Sequence, residues 1–361
     1  MRPAWHSNPT KNDKYPIKNM KQILPNNRFC RVSAALVLAL ATLSCSSDEG
    51  GDTPSTGKAT PYVTRVVEFR PAPGQFVNQL PEYREGDTPE DMNRKALEAI
   101  GNNRRGMVSL GGFGGYIVVG FDHTIENKPG LCDFRVLGNA FYASGQSEYG
   151  SSEPGVIQVA WDANSNGRPD EDEWYEIAGS SYPTAAESWL DKADEAGNDI
   201  RTVRGYSITY YRPAQEPGAP TDEYIRWEDN QQEEGYMAKN ATHLQSYFPQ
   251  WLDDEELTFE GTRLPQNGID LSGAGTNYAL YRFAFGYADN DTNESDASAI
   301  DIDWAVDASG APVHLSGVDF IRIHTGVNQV NGWLGECSTE VMGVTDLHLA
   351  GEQIASDGLG R

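Results

Sequence analysis

Short stretches of alternating apolar and polar residues, separated by Gly, Pro and Asn, constrain the fold of this chain more than any other feature. Such alternation is typical of β-strands with one buried face, because successive side chains of a strand point to opposite faces. Examples are residues 62–69, 155–161, 257–264 and 318–324. Many short strands and little helix predict an all-β fold, and the first choice of architecture is a β-sandwich with an elaborated jelly-roll topology.

One helix is clearly predicted near the start of the fold, and a second, shorter one between Ala185 and Glu195. Asp87 or Thr88 offers an N-cap, and Pro89 suits the first helical turn. The apolar residues on one face of the first helix are Met92, Ala96, Leu97 and Ile100. The sequence therefore predicts one or two short helices at the periphery of the sandwich.

Residues 108–121 contain a run of glycines between two apolar stretches. A phosphate-binding loop would also need a lysine and a following helix, and both are missing from the pattern. Glycines within a strand usually mark a bulge or a close approach of two backbones, so we expect this structural role here.

Residues 162–173 form an acidic loop between two strand-like stretches, 155–161 and 174–180. The positions match a twelve-residue calcium loop, in which positions 1, 3, 5, 9 and 12 carry oxygen ligands and position 6 is glycine, here Gly167. The predicted ligands are the side chains of Asp162, Asn164, Asn166, Asp170 and Glu173 and the backbone carbonyl of Arg168. Because strands flank the loop, we expect a Ca²⁺ ion clipped to a β-hairpin; the alternative is a solvated turn.

A second acidic segment, residues 289–296, copies part of this spacing at Asp289, Asp291 and Asn293. It carries Glu294 where a calcium loop needs glycine. A solvated loop is therefore the expectation, with a second ion as the alternative.

The first residues of the chain are typical of a secretory leader. Basic residues precede an apolar run at residues 32–43, and Cys45 follows, as in bacterial lipoproteins that are lipidated on this cysteine. We predict a leader at 1–44, a lipidated flexible linker at 45–60, a single β-sandwich domain at 61–351 and a C-terminal tail at 352–361. The predicted location is the outer membrane, with the protein lipid-anchored and facing the cell exterior.

Charge limits the partners of the exported chain. Removing the seven basic residues and the one acidic residue of residues 1–44 leaves 21 basic and 52 acidic side chains, a net charge of −31. Such a chain does not neutralise phosphates, so nucleic-acid binding is excluded, whereas divalent cations are natural partners. Besides the lipidated Cys45, two cysteines remain, Cys132 and Cys337, and an oxidising compartment permits a disulfide between them.

Aromatic residues in predicted loops are the candidates for ligand binding, because an exposed ring can stack on a sugar or another planar ring. They are Trp227, Tyr236, Trp251 and Trp333. The sequence gives little support for catalysis. The histidines show no metal-binding spacing, and no Gly-x-Ser-x-Gly elbow occurs. An enzyme is the minority hypothesis.

Four phrases together resemble a family of cell-surface lipoproteins found mainly in Bacteroidetes and labelled cell surface or PKD-like proteins. They are residues 151–155, 174–180, 286–289 and 332–340. Members often lie beside TonB-dependent transporters, sometimes with lipoproteins implicated in corrinoid capture. The resemblance implies ligand capture but transfers no binding residues.

These observations predict a calcium-binding outer-surface lipoprotein that captures a small ligand, such as vitamin B12, or a glycan for a TonB-dependent transporter. One alternative is a calcium-stiffened adhesion or structural module without a small ligand. The weaker alternative is a carbohydrate-active enzyme.

Overall fold

Short antiparallel strands dominate this computed structural model, which describes residues 58–104 and 106–358. In chain order the strands are β1 (Arg65–Arg70), β2 (Val108–Ser109), β3 (Tyr116–Glu126), β4 (Phe134–Leu137), β5 (Phe141–Tyr142), β6 (Tyr149–Ser151), β7 (Gly155–Ala160), β8 (Trp174–Ile177), β9 (Val203–Tyr211), β10 (Thr221–Asp229), β11 (Glu234–Lys239), β12 (Glu256–Arg263), β13 (Gly268–Asp270), β14 (Tyr278–Tyr281), β15 (Ala299–Ile300), β16 (Ala305–Val306), β17 (Gly317–Thr325), β18 (Glu340–Val341) and β19 (Gly343–Asp346). The predicted all-β class is confirmed.

The predicted jelly-roll sandwich is wrong. The strands form separate antiparallel sheets in a propeller-like arrangement with four blades. The largest sheet has six strands in the order β1-β3-β17-β7-β8-β16. Two sheets have four strands, β11-β10-β9-β12 and β13-β14-β6-β5, and the smaller ones are β15-β4-β19 and β18-β2. Alternation shows which side of a strand is buried but not which strand it pairs with, and here β3 pairs with β17 from the other end of the chain.

The first helix, α1 (Pro89–Ile100), follows the prediction closely. Thr88 and Asp91 form a capping box, and the apolar face of the helix is buried. The second, α2 (Leu190–Glu195), starts later than predicted. A third short helix, α3 (Leu347–Ala350), follows β19 directly. Short 3₁₀ turns occupy Glu171–Glu173, Asp296–Ser298, Ile302–Trp304, Gly332–Leu334 and Ser356–Gly358.

Two backbone segments approach each other closely at the glycine run, as expected. The Ala72 amide donates to the Leu110 carbonyl at 3.0 Å. A Cβ on Gly115 would lie 1.9 Å from that oxygen and 2.2 Å from the Ala72 nitrogen. Only glycine fits beside this hydrogen bond, which ties the residues after β1 to the connection between β2 and β3.

The buried apolar side chains form one large cluster and one smaller cluster. The larger contains Ile117 of β3 and Ile321 of β17, and the smaller contains Leu264 and Phe283. Cys132 lies in the larger cluster and Cys337 in the smaller. Both are free thiols, so no disulfide joins them. The two residues are buried in different parts of the core.

All described residues belong to one compact unit. Residues 352–358, which we predicted to be part of a tail, contact the fold: Ala355 bridges to Leu131, and Ile354 is buried. The predicted leader at 1–44, the lipidation site Cys45 and most of the linker lie outside the described residues. Among the helices of the described part, none has the length and apolar character needed to cross a bilayer.

Replacing Gly115 with alanine should destabilise the fold, because the added Cβ overlaps a backbone hydrogen bond that cannot shift cheaply. We expect Gly115→Ala to lower the free energy of unfolding by about 1–3 kcal/mol, measured by urea denaturation. Gly218→Ala is the matched control, since a Cβ there meets no atom within 4 Å. Equal stability of the two variants would show that the close approach is not a constraint.

Candidate functional site

An open cleft of about 460 Å³ lies against buried carboxylates, and we call it the acidic cleft. The residues that matter for its chemistry are Phe76, Glu153, His243, Trp333, Ser338 and Glu340. This volume is typical of small-molecule sites, which span about 300–1,000 Å³. The cleft therefore combines space, an aromatic rim and ionisable groups.

Three chain segments bring the carboxylates together. Glu153 lies in the connection between β6 and β7, and Glu340 begins β18. Asp289 follows β14, next to an isolated bridge that pairs Gly155 with Ala288. The amide of Glu153 donates to the Asp289 carbonyl at 3.0 Å, so the backbone itself holds these two segments in register.

Glu153, Asp289 and Glu340 form an acidic triad in which each offers an oxygen within 4.8 Å of the others, with Glu153 half-buried and the other two buried. Asp289 is 2% exposed and Glu340 4% exposed. Asp289 adopts a φ of 48°, an unusual backbone conformation for a residue other than glycine. This conformation is stabilised by the hydrogen bonds that the Asp289 side chain makes.

Backbone amides and one hydroxyl satisfy part of this triad. Asp289 Oδ1 accepts from the amides of Asn139 (2.7 Å) and Ala140 (2.9 Å), and its Oδ2 accepts from the Glu340 amide at 2.9 Å. Ser338 donates its amide to Glu153 and its hydroxyl to Glu340. Within the described chain, no Lys, Arg or His side chain forms an ion pair with any of the three carboxylates.

Burial shifts the ionisation of these groups. It raises the pKa of Glu153 to about 8, with Asp289 adding repulsion, and the pKa of Asp289 to about 7. Burial and the charges of Glu153 and Asp289 hold the pKa of Glu340 well above its ordinary value. Nearby Glu336, whose Oε1 accepts from the Gln75 amide, also has its pKa raised by burial, to about 7. Around neutral pH the triad therefore retains protons or requires a cation.

The triad has the donor set of a hard cation, because carboxylate oxygens favour Ca²⁺, Mg²⁺ or Mn²⁺ over softer metals. It supplies three oxygens, fewer than the six to eight that Ca²⁺ takes, so ligand or water would have to complete the shell. Nothing in this geometry selects one cation. Protonated, the same carboxyl groups can donate hydrogen bonds as well as accept them.

The predicted calcium loop lies on a β-hairpin, as expected, because β7 and β8 pair antiparallel and Ala160 faces Trp174. Gly167 has a φ of 75° at the predicted sharp turn. Asp162 accepts from the amides of Asn166 (2.9 Å) and Gly167 (2.7 Å), and Glu173 accepts from those of Ala163 and Asp170. The loop is thus held in a defined shape by its own carboxylates.

The amide groups of Asn164 and Asn166 both contact Asp170 Oδ2. In the triad, one oxygen of each carboxylate lies within 4.8 Å of the others. Asp162, Asp170 and Glu173 do not form such a cluster in the described part of the chain. Arg168, whose carbonyl we predicted as a ligand, donates its amide to Asn166 Oδ1. Calcium at this loop remains a prediction.

The four predicted ligand-binding aromatics lie in three different places. Trp333 is 66% exposed and lines the acidic cleft. Trp227 and Tyr236 border a different cleft, and the pairing of Trp227 with Gly235 puts the two side chains on opposite faces of their hairpin. Trp251 is a core residue and not a binding residue: it is 6% exposed and stacks on Phe69 with ring centroids 5.8 Å apart.

The second acidic segment is only in part the solvated loop that we expected, since Glu294 and Asp296 are exposed but its first residues are not. Asp289, Asn290 and Asp291 are all buried. Asn290 bonds to both backbone groups of Phe283, and Asp291 accepts from the Tyr142 hydroxyl and pairs with Arg282. Of this segment, only Asp289 joins the triad.

Sequence reasoning missed Glu153 and Glu340 as site residues, although a signal was present. Three of the four phrases that carry the family resemblance, 151–155, 286–289 and 332–340, each contain one member of the triad. Their convergence in space was not visible from the chain, because the residues are separated by long stretches of strand and loop.

No protein-family model matches this chain, and no curated protein is significantly similar to it in sequence. The chemistry of the acidic cleft is therefore the basis for the function considered below.

The triad should make stability depend on pH. Because Glu153 holds its proton to about pH 8 when folded and has an ordinary pKa of 4.5, the folded state binds more protons between these values, and stability falls as pH rises through them. Between about pH 5 and pH 8 in EDTA, the free energy of unfolding should fall. We expect this decrease to be smaller by at least about 1 kcal/mol in Glu153→Gln. The exposed Glu195→Gln is the control; the same slope in both variants would contradict the shifted pKa.

Proposed function

We propose that this chain is an outer-membrane surface lipoprotein that captures a small polar ligand, either a glycan or a corrinoid, in the acidic cleft. The observation that carries the proposal is the position of exposed Trp333 beside Glu153 and Glu340 in one open cleft. A ligand pocket typically joins an apolar or aromatic surface to a few convergent polar groups. The acidic cleft has both.

Trp333 is suited to stacking because its position is defined while its ring stays accessible. The residue lies in the 3₁₀ turn Gly332–Leu334, and its indole Nε1 donates to the Thr276 carbonyl at 3.3 Å. A Cβ on Gly332 would come within 2.7 Å of the Tyr278 ring, so glycine lets the turn lie close to this side chain. A ring held in this way loses little conformational entropy when a ligand stacks on it.

The carboxyl groups of Glu153 and Glu340 would recognise the polar part of the ligand. They accept hydrogen bonds from hydroxyl, amide or ammonium groups when ionised, and donate when protonated. A ligand that supplies such partners, or a cation bound with it, would offset the cost of burying carboxylates without a basic partner. This argument favours ligands rich in hydroxyl or amide groups.

The proposed location follows from the leader-like residues 1–44 and from Cys45, which would carry the lipid. The proposed partner is a TonB-dependent transporter, and its support is the family resemblance. In this arrangement the protein would hold the ligand at the cell surface and pass it to the transporter.

We further propose that a Ca²⁺ ion binds the hairpin loop 162–173. Its support is the match of ligand positions and the turn at Gly167, where the φ of 75° suits the sixth position of a calcium loop. The ion would neutralise a loop that carries several carboxylates within twelve residues.

Chelation should lower the melting temperature by a few degrees, because ions that bind only the folded state stabilise it by mass action. We expect Asp162→Asn to remove the sensitivity to EDTA, with Asp172→Asn, an exposed residue of the same loop, as the matched control. Half-saturation by calcium is expected at about 10⁻⁴–10⁻³ M.

A Glu153→Gln variant shows whether the ion that EDTA removes binds the hairpin loop or the triad. If this variant loses the EDTA effect and Asp162→Asn keeps it, the ion binds the triad and the loop proposal fails. An identical melting curve of the unaltered protein with and without EDTA would reject a stabilising ion at both places.

Isothermal titration with cobalamin and a panel of neutral glycans tests ligand capture. Trp333→Ala should weaken the binding of the active ligand about tenfold or more, which corresponds to the loss of about 1.4 kcal/mol or more of stacking energy. Leu349→Ala, which removes another exposed apolar side chain on α3, is the control. An affinity unaffected by Trp333→Ala would place the ligand elsewhere, and no heat with any compound would favour the adhesion alternative.

One observation favours a second candidate function, hydrolysis of a glycoside. Glu153 and Glu340 both line the cleft and approach each other within 4.8 Å, and retaining glycosidases hold two carboxyl groups about 5–5.5 Å apart. Burial raises the pKa of Glu153, as a general acid requires. Release of reducing sugar from a glycan, lost in Glu340→Gln, would establish this function in place of capture.

A further inference from the structure

A second cleft, also of about 460 Å³, borders the hairpin of β10 and β11. The residues that carry its chemistry are Asp199, Arg201, Trp227, Arg263, Gln266 and Val330. None of them belongs to the acidic triad or lines the acidic cleft. We propose that this second cleft is a binding site for a neutral sugar, which stacks on Trp227 and hydrogen-bonds to Arg201 and Asp199.

Trp227 supplies the aromatic surface. It faces Gly235 across the hairpin, and a Cβ on Gly235 would lie 2.8 Å from the indole Cζ2. Glycine at this position lets the indole ring lie directly on the neighbouring strand. Trp227 is half-buried and packs against the core, and its remaining surface lines the second cleft. The ring would meet a ligand there through this remaining apolar surface.

Arg201 and Asp199 supply a rigid polar pair. Arg201 Nε donates to Asp199 Oδ1 at 2.9 Å and its Nη2 donates to Oδ2 at 2.6 Å, which is bidentate geometry. Arg263 donates to the same carboxylate from the buried side. These bonds hold the pKa of Asp199 well below its ordinary value. Arg201 Nη1 has no hydrogen-bond partner among the described residues, and the side chain is exposed.

The surrounding groups are held in place before any ligand arrives. Gln266 accepts from the Asp199 amide through Oε1 and donates to the Asn328 carbonyl through Nε2. Asn328 donates to the Tyr206 hydroxyl, which donates to Asp229. Such a preorganised network loses little entropy on binding.

The mixture of charges indicates a neutral polyol and not an ion. The lining includes the cations Arg201 and Arg263 and the anions Asp199, Asp229 and Glu233, so neither sign dominates. A sugar presents an apolar face for stacking and hydroxyl groups that both donate and accept hydrogen bonds. Aromatic and mixed polar groups in one cleft match this chemistry.

The second cleft and the acidic cleft are lined by residues that lie close together in the chain. Val330 lines the second cleft, whereas Trp333 lines the acidic cleft. Three residues span at most about 11 Å of extended chain, so an oligosaccharide that occupies one cleft can reach the other. The sugar site itself does not depend on the acidic cleft.

Titration calorimetry of the protein with neutral oligosaccharides, namely cello-, xylo- and manno-oligosaccharides and free N-glycans, tests the proposal. We expect Arg201→Ala and Trp227→Ala each to weaken binding of the active saccharide about tenfold or more. Arg201 is exposed, so its variant should fold normally even if the loss of Trp227 destabilises the hairpin. Phe141→Ala, which removes an exposed aromatic ring in neither cleft, should bind as the unaltered protein does.

Trp333→Ala shows which of the two clefts holds the saccharide. If Arg201→Ala weakens saccharide binding and Trp333→Ala does not, the second cleft holds the sugar without help from the acidic cleft. If only Trp333→Ala weakens binding, the second cleft is not a sugar site and ligand capture in the acidic cleft stands. Absence of binding by every saccharide would overturn the second-cleft proposal.

Discussion

The central physical constraint of this structure is the close approach of three carboxyl groups, two buried and one half-buried, without a basic partner in the described chain. The backbone bridge between Gly155 and Ala288 brings Glu153 beside Asp289, and the amide of Glu340 donates to Asp289. Backbone amides recover part of the lost hydration, but they do not neutralise three charges. Protons, a cation or a ligand must do so.

The two acidic features differ in how their charges are satisfied. In the hairpin loop, Asp162 and Glu173 accept from the amides of their own loop, so the carboxylates define a local turn. In the triad, the groups come from distant segments and meet beside an open cleft. The loop carboxylates are therefore satisfied within the loop, whereas those of the triad face a space that a ligand could enter.

The residues of both clefts come mainly from connections and strand ends, and the sheets hold these segments in place. Trp333 lies in a 3₁₀ turn, Glu153 in a short connection and Arg201 just before β9. Connections tolerate the irregular backbone that such sites need, as the positive φ values of Asp289 and Gly332 show. Val330 and Trp333, three residues apart, line different clefts, so a change in the conformation of this segment would affect both.

The sequence by itself determined the features that depend on neighbouring residues: the all-β class, the capping box of α1, the hairpin around residues 162–173 and the close backbone approach in the glycine run. Tertiary structure decided the features that depend on distant residues. It grouped the strands into a propeller-like arrangement, buried Trp251, kept Cys132 and Cys337 apart and brought Glu153 to Asp289 and Glu340. The physical reason is that periodicity and capping are local, whereas strand pairing and side-chain burial join residues far apart in the chain.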